Sequence, residues 1–232
     1  MIKTFDAPDN LTGKGAVVGV CDSWCDLSHP SFSGKNISTR SFLAGKPVIS
    51  NNSHGTHVIG IISSIAPDCT IEHAETACLG RGSYTDVHKA LEWFQSRNIH
   101  VLNLSMSFGK DVPEIKELLD RMCGKGVIIC ASGDGCGAFP AQYESVISVG
   151  SHFSDSSSSD TYAPGEFLSA APGGIMAKMS GSSASCACIS AVAAMFVEEG
   201  GGGKVDFLDW LNKKAGTHNA PAKLGRHTCF IS

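Results

Sequence analysis

Three side chains far apart in the chain are of the types that cooperate in nucleophilic catalysis. They are Asp22, His54 and Ser183. A serine hydroxyl is a poor nucleophile near neutral pH. It attacks a carbonyl usefully only when an imidazole takes its proton and a carboxylate holds that imidazole in one tautomer. Asp22 stands at the end of the apolar run Val17-Val18-Gly19-Val20-Cys21, His54 opens His54-Gly55-Thr56-His57-Val58, and Ser183 follows Gly181-Ser182. Each thus falls where a buried strand or loop meets a helix. At Ser183 the start of a helix supplies unpaired N–H groups and partial positive charge, which suit an oxyanion forming beside the hydroxyl.

Each residue also has a plain structural reading. A carboxylate at a strand end caps a turn, and Asp26, lying beyond the strand, is better placed than Asp22 to do so. His54 and His57 are three residues apart with no glutamate between them, so the pattern of a zinc metalloprotease helix is missing. His57 reads as a buried structural histidine. Ser182 is available as the N-cap of the helix that Ser183 enters. Gly13-Lys14-Gly15 precedes the first long apolar strand instead of following it, the wrong side for a dinucleotide-binding turn. The pairs Cys21/Cys25 and Cys186/Cys188 do not have the two-residue spacing of a zinc knuckle or a thioredoxin motif. No metal and no cofactor is expected.

The elements that must carry these residues follow from periodicity. Gly15 to Cys21 is a continuous run of small and β-branched residues, as in a strand buried on both faces. Val58 to Ile65 continues from His57 as an apolar helix, and Cys69 to Ala74, Val101 to Met106, Val127 to Ala131 and Val146 to Gly150 read as further strands. Ser83-Tyr84-Thr85-Asp86 opens a helix with Val87, Ala90, Leu91 and Phe94 on one face. Pro113 opens another, with Ile115, Leu118, Leu119 and Met122 inward and Gly124 at its end. A last long helix should run from about Ser183 toward Val197 and stop at Gly200 to Gly203. Alternating strands and helices predict an α/β fold, a doubly wound, mostly parallel sheet with helices on both faces. Such sheets bind ligands beyond the carboxyl ends of their strands, where Asp22 lies.

Size and charge narrow the partners. A chain of 232 residues with 42% hydrophobic and 17% charged residues has enough apolar surface for one sizeable core, so a single domain over 1–232 is expected. The formal charge is −4 and no Lys/Arg cluster occurs, which argues against nucleic acid and anionic membrane. No apolar run approaches the roughly 20 residues of a bilayer span, and Met1 to Asp6 lacks the apolar stretch of a signal peptide. The ten cysteines are read as buried free thiols, in keeping with a cytoplasmic setting. Oligomeric state is not readable.

The three segments resemble those of the subtilisin-like serine protease family, over roughly Gly15 to Val197. Asp22-Ser23 with His29-Pro30 is similar to its Asp segment, His54-Gly55-Thr56-His57-Val58 to its His segment, and Gly181-Ser182-Ser183 to its Gly-Thr-Ser segment with Ser for Thr. The order and the 32-residue offset from Asp22 to His54 also agree. The resemblance implies a peptide or protein substrate lying extended along Gly80, Arg81 and Gly82 on one side and Ser105, Met106 and Ser107 on the other. It implies a pocket between that second edge and Ala131, Ser132 and Gly133. It implies an oxyanion hole formed by Ser183 and residue 134. There the family carries Asn and this chain has Asp134. An ionised carboxylate repels an oxyanion, and losing one such donor costs about 2.7–4 kcal/mol. A protonated Asp134, its backbone or a water could substitute. Ala187 replaces the family's proline after the nucleophile. The family's calcium loop is missing where Ile62 to Pro67 passes straight through, and no propeptide is expected. Asp26-Leu27-Ser28-His29-Pro30-Ser31-Phe32-Ser33-Gly34 further resembles the members that process cyanobactin-type ribosomal peptides. The 32 positions leave no room for the helical cap of the macrocyclases, which favours cleavage over cyclisation. Three uses stay open at this level: an endopeptidase, a ligase or macrocyclase sharing its acyl-enzyme, and a catalytically weak peptide-binding domain.

Overall fold

Strands buried on both faces dictate the centre of the molecule. The computed structural model describes residues 3–6, 10–43, 54–78, 81–133, 138–151, 159–214, 216–217 and 228–231. In chain order these form β1 (Lys3–Asp6), β2 (Val17–Ser23), β3 (Ile37–Ser41), α1 (His54–Ile65), β4 (Thr70–Cys78), β5 (Arg81–Gly82), α2 (Tyr84–Gln95) and β6 (Val101–Leu104). There follow α3 (Pro113–Gly124), β7 (Ile128–Ser132), β8 (Ile147–Ser151), β9 (Thr161–Ala163), β10 (Glu166–Ala171) and β11 (Ile175–Ser180). The chain continues through α4 (Ser182–Glu198), α5 (Lys204–Lys214), β12 (Gly216–Thr217) and β13 (Thr228–Ile231). The parallel part of the sheet runs β3-β4-β2-β6-β7-β8-β9, and β13, β1 and β12 extend it antiparallel beyond β9. This is the doubly wound α/β architecture that the alternation of apolar runs predicts.

Two hydrophobic clusters lie on opposite faces. On β2, Val18 and Val20 join the cluster made with α1 and α4, while Cys21 joins the one made with α2 and α3. The helix faces read from sequence are the buried ones. Val87, Ala90, Leu91 and Phe94 of α2 and Ile115, Leu118, Leu119 and Met122 of α3 all enter the second cluster. Ser83 caps α2, its side chain accepting from the Asp86 N–H at 3.0 Å. The small residues of α4 let it lie in the middle of the fold, where all but the ends of the helix are buried. Cys21, Cys25, Cys69, Cys123, Cys130, Cys186 and Cys188 are free thiols, and all except Cys123 are buried.

The structure corrects several expectations. The helix from residue 182 is not the last. Gly200–Gly203 is a connector, and α5 follows, placing Phe207 against Phe196 with ring centroids 5.6 Å apart. The hairpin β10–β11, turning at residues 172–174, was not foreseen, nor were the antiparallel strands. The cap of α4 is Gly181 and not Ser182, which is already helical. Residue 181 has φ +111°, a conformation glycine adopts without the steric cost of a Cβ. Gly13-Lys14-Gly15 does bind an anion, but an internal one. The N–H groups of Thr12 and Gly13 each donate to Glu198 Oε2 at 2.7 Å and that of Lys14 at 3.2 Å, so the end of α4 is tied to the entry of β2.

Two boundary differences bear on chemistry. β2 runs on through Asp22 to Ser23, and its register with β4 slips between those residues, Asp22 facing Glu75 and Ser23 facing Ala77. The strand expected over Val101 to Met106 leaves the ladder after Leu104, so Ser105–Ser107 is not paired within the sheet.

Candidate active site

The end of β2 and the start of α1 bring a carboxylate and an imidazole together. Asp22 is 4% exposed, and His54 Nδ1 lies 2.9 Å from both of its carboxylate oxygens. Nδ1–H donates to an anion that can only accept, which leaves Nε2 with the lone pair. The Asp22 charge raises the pKa of His54 above its ordinary value. Burial opposes that shift and the hydrogen bond to Asp22 adds to it.

Ser23 locks this pair. Its N–H donates to Asp22 Oδ1 at 2.7 Å, and its Oγ accepts from the Gly55 N–H at 3.0 Å. Gly55 is needed for proximity: a Cβ on it would come within 2.1 Å of the Ser23 carbonyl oxygen. The His-Gly pair visible in the sequence is therefore a docking surface for the strand end.

Ser183 lies in the first turn of α4, half-buried. Its Oγ–H donates to the Ser105 carbonyl at 3.3 Å, and Ser105 Oγ–H donates to the Ser183 carbonyl at 2.9 Å. Behind Ser105, Asn103 Nδ2 donates to Ser105 Oγ at 3.0 Å, and Asn103 Oδ1 accepts from Ser190 Oγ at 3.0 Å and Cys186 Sγ at 3.3 Å. This polar chain fixes the turn of Ser183 against the segment leaving β6, and each member satisfies the next.

A cleft of about 700 Å³ runs beside Asp22, His54 and Ser105; Ser183 is not among the residues that line it. Asp22 and His54 line it together with Gly82 on one side and Ser105, Met106 and Ser107 on the other. Gly80 lies outside the described residues. The backbone of Arg81 pairs with Cys78, and its side chain is not described. Ala131, Ser132 and Gly133 are buried and do not line this cleft. Ser132 reaches it indirectly, its Oγ donating to the Met106 carbonyl at 3.3 Å. Asp134 is outside the described residues. Tyr84, Val87 and Phe108 also line the cleft and were missed as site residues. Val87 was legible only as a core position of α2, and nothing in a helical stripe says which turn borders a cavity. Tyr84 meets Phe108 edge-on at 5.4 Å, with Lys110 Nζ 5.2 Å above the Tyr84 ring.

Asp26 keeps its bland reading, whereas His57, expected to be buried, is only half-buried, and its Nδ1 has no hydrogen-bond partner among the described residues. Asp26 holds its turn, accepting from the Ser28 N–H at 3.1 Å through Oδ1 and from the Gly173 N–H at 2.9 Å through Oδ2. His29 Nε2 lies 2.8 Å from the Ile175 carbonyl. His57 accepts at its backbone carbonyl from Ser169 Oγ at 2.8 Å. Its ring is lowered in pKa by burial first and by His54 second. Among the described residues no group of three or more His, Cys, Asp or Glu could hold a metal ion, and no helix is long and apolar enough to cross a membrane.

Comparison with known proteins gives a consistent picture. Residues 13–220 match the model of the Subtilase family. The chain is 29% identical over 233 residues to the major intracellular serine protease of Bacillus subtilis (strain 168), covering 84% of this chain and 73% of that protein. Among solved structures it is similar to a cold adapted subtilisin-like serine proteinase, with a TM-score of 0.79 and 26% identity over 93% of this chain and 88% of that one. It also shares the fold of the prenylagaramide maturation protease PagA, with a TM-score of 0.68 and 24% identity over 85% of this chain and 81% of that one.

Proposed function

From the premise that this chain belongs to the subtilase family and is a subtilisin-like serine protease, we propose that it is an endopeptidase working through an acyl-enzyme on Ser183. The observation that carries this reading is the pairing of His54 Nδ1 with both oxygens of buried Asp22. That pairing shares a cleft with Ser105, the residue that holds Ser183. Ser183 Oγ rotates away from the Ser105 carbonyl and attacks the scissile carbonyl carbon. His54 Nε2 takes the hydroxyl proton, and Asp22 stabilises the imidazolium that forms. The Ser183 N–H at the start of α4, with the region of Asp134, holds the oxyanion. His54 then protonates the leaving amine, whose C–N bond breaks. Water, deprotonated by the same ring, hydrolyses the ester and frees Ser183.

The substrate is an extended peptide. Ser105–Ser107 leaves the sheet ladder after Leu104, its Ser105 and Met106 carbonyls accepting only from side-chain hydroxyls that an incoming strand could displace, and it borders the cleft opposite Gly82. The similarity to a protease named as intracellular and the shared fold with one named for peptide maturation support a defined peptide inside the cell as the target. The short offset from Asp22 to His54 supports hydrolysis over cyclisation.

A fluorophosphonate probe tests the reading. It should label wild-type protein on Ser183 and leave Ser183→Ala unlabelled. Folded wild-type protein that takes no label would overturn it. Product mass decides the acceptor, because hydrolysis adds one water to the cleaved peptide and transpeptidation adds none.

A further inference from the structure

His73 is fully buried in β4, between β2 and β3, where its register partners are Val20 and Thr39. Its Nε2 lies 3.0 Å from the Ser23 carbonyl oxygen, and its Nδ1 lies 2.8 Å from Thr39 Oγ1. A carbonyl oxygen only accepts, so Nε2 carries the proton and donates to Ser23. Nδ1 is then the lone-pair nitrogen, and the Thr39 hydroxyl donates to it. Both ring nitrogens are satisfied: the Ser23 carbonyl fixes the tautomer, and the Thr39 hydroxyl, which can donate or accept, donates to Nδ1. Burial pushes the pKa of His73 down to about 4 against the opposing pull of Asp22, so this pattern of one donor and one acceptor persists through the neutral range.

The accepting carbonyl belongs to the residue that joins the two halves of the site. Ser23 donates its N–H to Asp22, accepts from Gly55 through its hydroxyl, and presents its carbonyl oxygen against the Gly55 Cα. The strand register slips at this point, where sheet pairing constrains the backbone least. Any rotation of the Ser23 peptide would move the Asp22 carboxylate and the first turn of α1 relative to each other.

We propose that His73 is a positioning residue for the Asp22–His54 pair, acting through its Nε2–H bond to the Ser23 carbonyl. The inference rests on the proposed roles of Asp22 and His54, and it assigns a task to a histidine that a bland reading would leave as core filling. The two readings differ in what they expect of a variant that preserves shape and loses the donor.

Three variants and two measurements separate them. His73→Phe keeps a planar ring and removes both nitrogens. His73→Gln restores an N–H donor at similar reach. His73→Met matches the reach of the Gln side chain and has no N–H donor. NMR titration of the His54 ring reads its pKa without requiring turnover, and kinetics on a peptide substrate give kcat and KM. In His73→Phe the His54 pKa should fall toward its ordinary value. Its kcat should drop by about tenfold or more with KM held within about twofold, since small misplacements of catalytic groups cost about that much or more. His73→Gln should recover most of both readings, and His73→Met should not. An unchanged His54 titration in folded His73→Phe, or a Gln variant no better than Phe, would overturn the proposal. Should His73→Phe fail to fold, His73→Met decides: wild-type titration and kcat there overturn it equally. Absence of Ser183 labelling in the wild type would instead sink the endopeptidase reading and leave the titration able to decide the role of His73.

Discussion

The Ser23 carbonyl oxygen occupies the place where a side chain on Gly55 would begin, 2.1 Å from where a Cβ on that glycine would stand. This contact sets the approach of α1 to β2, and hence the 2.9 Å spacing between His54 and Asp22. Gly55→Ala must therefore push the helix start off the strand end. We expect kcat/KM to fall by about 100-fold or more, with a loss of stability of about 1–3 kcal/mol from overpacking. Steady-state kinetics and urea denaturation check this. An Ala variant with wild-type activity would show that the contact does not set the pair.

The raised pKa of His54 predicts the acid limb of activity. The proton acceptor must be neutral, so kcat/KM should fall as pH drops through a value above the ordinary histidine pKa of about 6.5. Asp22→Asn removes the charge that is the largest cause of the shift. The limb should then move to lower pH, and the rate should fall by about 10⁴-fold because the imidazole is held in the wrong tautomer. A pH–rate profile of both proteins tests the two effects together.

Stability should also depend on pH, with a sign set by His73. Its folded pKa of about 4 lies below the unfolded value near 6.5, so the unfolded chain binds more protons between those limits. The His73 contribution is complete above about pH 6.5 and declines as pH falls toward 4, by roughly 3 kcal/mol for a shift of this size. His57, also held down, acts in the same direction. His54, raised, contributes stability that is already complete below pH 6.5 and fades only above it, so it does not offset the loss. Urea midpoints at pH 7 and pH 4.5 should show the decline in the wild type and a smaller one in His73→Gln.

Ser105 joins the turn of Ser183 to a buried network. Ser105→Ala keeps the backbone that faces the cleft and removes the bond to the Ser183 carbonyl. It also leaves Asn103 Nδ2 without the acceptor it uses in the native fold. We expect about 1–3 kcal/mol of destabilisation and a lower kcat, with KM little changed. A raised KM at constant kcat would mean that Ser105 acts on the peptide instead of on Ser183.

The local parts of this protein were legible in its sequence. The apolar run before Asp22, the cap at Ser83 and the proline at 113 are encoded by neighbours, because strand burial and helix initiation depend on residues a few positions apart. The order Asp22, His54, Ser183 named the chemistry for the same reason, since each sits in a short pattern that specifies its own turn. α5 and the β10–β11 hairpin escaped because a glycine run and a Pro-Gly-Gly turn read equally well as an ending or a connection. The roles of Ser23 and His73 belong to tertiary structure alone. Whether His73 meets solvent, Asp22 or the Ser23 carbonyl is decided by how β4 registers against β2 and where that register slips. Pairing between strands some 50 residues apart is a collective outcome of packing both sheet faces, and no pattern within either strand contains it.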